Sequence, residues 1–122
     1  MHKKNKMKIL LSIILILTFT VQDDFTFVNK NEKIILKIND GEKNLTWNNK
    51  SILTLELKNI KKENVMVAGT EIEFIRNSNP KKINLQVTPT KELFENDKLE
   101  LDVSYFDNKH KYVSHTFLLL IK

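Results

Sequence analysis

The 122-residue chain predicts an all-β protein, an antiparallel sandwich built from short strands. Two observations carry this. First, apolar and polar residues alternate in one segment after another; Leu99, Leu101, Val103 and Tyr105 are separated by Glu100, Asp102 and Ser104. A period of two puts these sets on opposite faces of a strand. Second, clusters of Asn, Asp, Pro, Gly and Lys interrupt the alternation at intervals of roughly 8 to 12 residues, the rhythm of stacked sheets joined by turns.

Residues 1–8 are short and positive, with Lys3, Lys4, Lys6 and Lys8. A nine-residue apolar block, 9–17, follows. This is the layout of a secretory signal peptide, and the block is short for a spanning helix of roughly 20 residues. Thr18 and Thr20 form the nearest small-residue pair, so a mature start is expected near Val21 or Gln22. The organisation read from the sequence is therefore a signal peptide, or short membrane anchor, over 1–20 and one domain over 21–122.

Strands are expected at 25–28 and at 32–39, where Ile34, Leu36 and Ile38 share a face. Asn39-Asp40-Gly41-Glu42 then signals a tight turn, because Asp-Gly accommodates positive φ. A short strand at 43–47 precedes a turn at 48–50. Residues 51–59 alternate well, with Leu53, Leu55 and Leu57 opposite Thr54, Glu56 and Lys58. Further strands are expected at 65–67, 70–76 and 82–88, the last two parted by a loop containing Pro80, which cannot sit inside a central strand. Residues 90–97 have no period of two and form either one helical turn or a loop that tucks Leu93 and Phe94 under the sandwich. The clearest hairpin closes the domain: 98–105, a turn at 107–111, then 112–121. The last strand is apolar on both faces from Phe117 to Ile121. Either it is central and covered twice, or one of its faces meets a partner.

Eight or nine such strands in about 100 residues fit an immunoglobulin-like antiparallel β-sandwich best. A small closed barrel is the next choice.

Composition narrows the function classes. Hydrophobic residues at 41% allow a core, and charged residues at 29% do not suggest a disordered chain. There is no cysteine, hence no disulfide frame, thiolate metal site or thiol nucleophile. The formal charge of +5 is misleading, because four lysines precede the first acid. From Val21 onward basic and acidic residues nearly balance, which leaves no electrostatic footprint for nucleic acid. His110 and His115 lie five apart, not a standard metal spacing. No serine sits in a nucleophile elbow, and two glycines cannot build a phosphate loop. The pairs Glu71/Glu73 and Glu100/Asp102 read as solvated outer faces. Neither catalytic residues nor cofactor or metal ligands are expected.

The segments 51–57, 63–67 and 101–105 resemble strands of the immunoglobulin-like modules of secreted and periplasmic bacterial proteins. In tone they are closest to those of the Bacteroidetes gliding-motility and type IX secretion machinery. The N-terminal layout predicts export, periplasmic or extracellular, and the both-faced apolar last strand with the lack of site chemistry predicts a non-enzymatic domain that works by contact with a protein partner in the cell envelope. A small secreted inhibitor or ligand-binding module is the alternative, and an envelope hydrolase a third. Membrane contact is expected only through an uncleaved N-terminal segment. The candidate partner-binding residues are Trp47, the single tryptophan, beside a turn, and Phe117, Leu118 and Leu120 on the last strand.

Overall fold

The computed structural model describes residues 25–94 and 96–122. The expected signal peptide or anchor over 1–20 lies outside them. The described chain is all-β, with strands β1 (Thr26–Asn29), β2 (Glu32–Ile38), β3 (Ser51–Lys58), β4 (Val65–Ala68), β5 (Glu73–Ile75), β6 (Lys82–Val87), β7 (Lys98–Phe106) and β8 (Tyr112–Leu120). A single 3₁₀ turn, Lys62–Asn64, leads into β4.

Two antiparallel sheets result. One has the order β1-β2-β3-β6-β5, the other β4-β7-β8. The alternation read from the sequence sets the inner faces. Ile34, Leu36 and Ile38 from β2 meet Leu53, Leu55 and Leu57 from β3 and Ile83, Leu85 and Val87 from β6. Leu99, Leu101 and Val103 from β7 and Phe117 and Leu119 from β8 close the same core from the other sheet. Each fully buried aliphatic or aromatic side chain of this kind stabilises by about 1.5–3 kcal/mol, and with no disulfide available such packing is the main source of stability.

The outer face of the larger sheet is polar and tied across strands. Lys37 pairs with Glu56 at 3.1 Å, Asn84 donates to Thr54 Oγ1 at 2.8 Å, and Gln86 donates to Glu73 at 2.7 Å. Left-handed turn positions need a residue that tolerates positive φ. With only two glycines in the chain, three of these positions are filled by Asn39, Asn48 and Asn59, at φ of 50°, 64° and 60°.

Two elements differ from the sequence reading. Residues 43–47 form no full strand. They follow the turn in which Gly41 and Glu42 donate to Ile38 O, and then cross to the other sheet. There Leu45 N donates to Leu120 O and Lys122 N to Leu45 O, a parallel bridge of Leu45 to Ile121. Only Leu45 is fully buried in this segment, so one anchored residue rather than an alternating face holds it. The strand expected over 70–76 shrinks to Glu73–Ile75. Glu71, at φ 57°, bends the chain just before it, and β5 has only β6 to pair with. Residues 91–93 form a turn, and Leu93, expected beneath the sandwich together with Phe94, stays exposed. Phe94 is buried and its N–H donates to Thr90 O.

One polar link crosses the core. Glu32 and Tyr105 are both buried, and the Tyr105 hydroxyl donates to Glu32 Oε1 at 2.6 Å. Asn29 Nδ2 donates to the same oxygen at 3.0 Å. Burial, then the bond to the carboxylate, pushes the Tyr105 phenol up to about 12.

Candidate functional site

The last strand, β8, is an edge strand of the three-stranded sheet and pairs only with β7. One of its faces is buried and the other open, so the alternative of a central strand covered twice does not hold. Side-chain direction follows parity. Phe117 and Leu119 point into the core, while Tyr112, Ser114, Thr116, Leu118 and Leu120 point outward and are exposed.

Backbone parity is fixed by two bonds. Ile121 N donates to Asp97 O, so odd-numbered residues of β8 exchange their bonds with β7. Leu120 O accepts from Leu45 N on the opposite side, so even-numbered residues aim their N–H and C=O away from the sheet. Residues 45–47 cap this edge at 120–122. From Tyr112 to Leu118 the even-numbered backbone groups have no partner among the described residues.

Sequence chemistry makes this edge unusual. Proteins ordinarily blunt exposed edges with lysine, proline, bulges or brevity. The other three edge strands, β1, β4 and β5, are three or four residues long. β8 is nine residues long, Tyr-Val-Ser-His-Thr-Phe-Leu-Leu-Leu, with no charge, proline or glycine. The outer face beside it is apolar at its margins. Tyr112 is 60% exposed, Leu118 45% and Leu120 43%, and Met66 and Phe106 add to them. The Phe106 and Tyr112 rings stand 5.6 Å apart. Between these margins lies a groove of about 550 Å³, lined by Met66, Ala68, Asp102, Ser104, Ser114 and Thr116. Thr116 Oγ1 donates to Asp102 at 2.6 Å in its floor.

The inner margin of β8 is covered by β1. The Phe27 ring stacks on His115 at 4.6 Å, and Phe117 meets His115 edge-on at the same separation. This burial holds the His115 imidazole below its usual range.

The four candidate residues thus divide. Leu118 and Leu120 share the exposed face of β8. Phe117, fully buried, offers no surface and supports the strand from within. Trp47 lies at the far end of the strand, where its N–H donates to Lys122 O at 3.2 Å. Its ring is half-buried against the core, and Lys91 Nζ sits 5.1 Å above it.

A second feature was hidden in the near-neutral charge balance. The strand pairings bring the 30–31, 59–64, 76–81 and 107–111 connections to one end of the molecule. They carry Lys30, then Lys61 and Lys62, then Arg76 and Lys81, then Lys109 and Lys111, against only Glu63 and Asp107. A cleft of about 1040 Å³ opens there, bordered by Lys33, Lys58, Lys61, Lys62, Lys81 and Lys82 with Glu56 and Glu63. Lys62 Nζ braces it by donating to Asn77 O and Asn79 O at 2.5 and 3.0 Å. No lysine of the cleft has an ion-pair partner among the described residues. Asp107 is a turn cap. Its carboxyl accepts from the N–H groups of Lys111 and Lys109, which hold it below the usual carboxylate range. The opposite end is balanced to acidic, with Asp40, Glu42, Glu71, Glu92 and Asp97 against Lys43, Lys50, Lys91 and Lys122. Sequence counting missed this polarity because the basic loops are dispersed along the chain and meet only through the topology.

Among the described residues no group of three or more His, Asp or Glu is placed to hold a metal ion, and no helix is long and apolar enough to cross a membrane. Comparison of the chain with protein-family models, curated proteins and solved structures gives no match.

Proposed function

We propose that this chain is an exported, immunoglobulin-like module of the bacterial cell envelope that acts by protein–protein contact, without catalysis, through the β8 edge. The strand order supports the fold part. Omitting β1, the sheets β2-β3-β6-β5 and β4-β7-β8 correspond to the ABED and CFG sheets of a constant-type immunoglobulin domain. The parallel bridge of Leu45 to Ile121 joins the segment after the first of these strands to the last strand. The observation that carries the functional part is the long, uncharged, unpaired edge of β8. An extended segment added there gains main-chain hydrogen bonds, with Leu118 and Tyr112 supplying side-chain contacts.

The test is in-cell cross-linking and co-purification from the envelope fraction, with Leu118→Lys and Leu120→Lys as perturbations. Both side chains are outward, so folding is expected to survive. Loss of a reproducible envelope partner is the expected result. A partner retained in full by both folded variants would refute the reading.

The lysine-bordered cleft favours one second reading, a ligand-binding module whose ligand is anionic. It predicts a salt-sensitive complex with a polyanion that Leu118→Lys leaves untouched and that Lys58→Glu with Lys81→Glu weakens.

A further inference from the structure

We infer that the occupant of the β8 edge is a second copy of this chain, paired antiparallel about a two-fold axis at His115. This rests on the reading of β8 as a contact edge and names its partner.

Three observations converge. The first is register. The unpaired even-numbered groups run from Tyr112 to Leu118, because Leu45 occupies the edge at Leu120. The antiparallel register that uses all of them sets Tyr112 opposite Leu118 of the second copy and Ser114 opposite its Thr116, twice over by symmetry. Each such pair exchanges two backbone bonds. It would place the two three-stranded sheets in one continuous six-stranded sheet.

The second is side-chain fit. On the outer face this register covers the exposed Tyr112 and Leu118 with each other and leaves hydroxyls beside hydroxyls at the centre. On the inner face half-buried Val113 lies across from position 117 of the second copy, whose ring stays in its own core, and the two half-buried His115 residues stand opposite each other at the axis. No charged side chain of the strand confronts its own copy, since β8 has none.

The third is charge direction. β8 starts at the lysine-rich end of the molecule and runs to the balanced-to-acidic end. Antiparallel docking sets each basic end beside the opposite end of the second copy. Parallel docking would stack basic loops on basic loops.

The test is made on the full chain as recovered from its producing cells. Mass is followed against concentration by sedimentation equilibrium, together with amide exchange. The expected result is a dimer in which the N–H groups of Ser114, Thr116 and Leu118 gain protection with concentration. Thr116→Lys, which sets two ammonium groups near the axis, should raise the dissociation constant by about tenfold. Adding Ser114→Glu to Thr116→Lys should restore it, because in this register each introduced lysine lies opposite an introduced glutamate. A wild-type monomer with concentration-independent exchange at these amides overturns the homotypic pairing. A dimer weakened by Thr116→Lys that Ser114→Glu does not rescue overturns the register. If the wild type is monomeric yet Thr116→Lys abolishes its envelope cross-links, only the second copy is refuted and the edge reading stands. Cross-links unaffected by that variant refute both.

Discussion

Replacing Tyr105 by Phe isolates the one polar link through the core. In the folded chain the Tyr105 hydroxyl donates to a buried Glu32 carboxylate that has only one other side-chain donor among the described residues, Asn29. Phe keeps the ring's packing and removes the donor. A hydrogen bond to a charged acceptor contributes about 1.5–3 kcal/mol, and the stranded carboxylate keeps its desolvation cost, so a loss of about 2–3 kcal/mol is expected near pH 7. The pH dependence tests the cause. The folded-state phenol is raised from 10.0 to about 12, so its contribution is complete below 10 and disappears as pH rises through the folded value. At about pH 11 the wild type should have lost about 1.4 kcal/mol through this group. Tyr105→Phe cannot lose it, and the two proteins should converge by that amount, since lysine titration is common to both. Urea unfolding followed by Trp47 fluorescence measures both numbers. A difference below about 0.5 kcal/mol near pH 7, or one that stays constant into alkali, would refute the reasoning.

Phe117→Ala should cost about 3–5 kcal/mol in the same assay, because the ring is fully buried and supports β8 from inside. A loss below about 1 kcal/mol would mean that the strand is not anchored there. Gly69→Ala should destabilise by about 1–2 kcal/mol, since a Cβ would stand 3.3 Å from the Glu100 carbonyl oxygen, which the sheet holds in place, and 3.2 Å from Leu101 Cδ1; unchanged or raised stability would contradict this. Asp107→Ala should speed amide exchange at Lys109 and Lys111 without altering the melting of the core. The wild type should show the same loosening on acidification, as the depressed carboxyl protonates and the bonds that favour its charged form are lost.

The sequence made the strands legible where one face is buried along the whole element. Leu53, Leu55 and Leu57, or Leu99, Leu101 and Val103, state their direction by parity alone. It also marked β8 as unusual and, through parity, separated Phe117 from Leu118. What it could not state is pairing between distant segments. Glu32 reads as a polar residue at the head of a strand until Tyr105, 73 positions later, is seen to donate to it. Residues 43–47 look like a strand because Leu45 and Trp47 alternate with polar neighbours, yet their backbone is held at one bridge to the end of β8 rather than along a ladder. The lysine-rich end was invisible for the same reason, since charge segregation depends on which loops the topology gathers.

The bridge between Leu45 and Ile121 also orders events in time. Leu45 and Trp47 find backbone partners in Leu120 and Lys122, far later in the chain. While the ribosome still holds the last strand, β7 lacks its longest neighbour and Leu45 and Trp47 lack these partners. The five-stranded sheet can pair without that strand, but the smaller sheet and its tie to Leu45 cannot. That closure joins Leu45 to the last strand across a large sequence separation, the kind of contact that forms slowly.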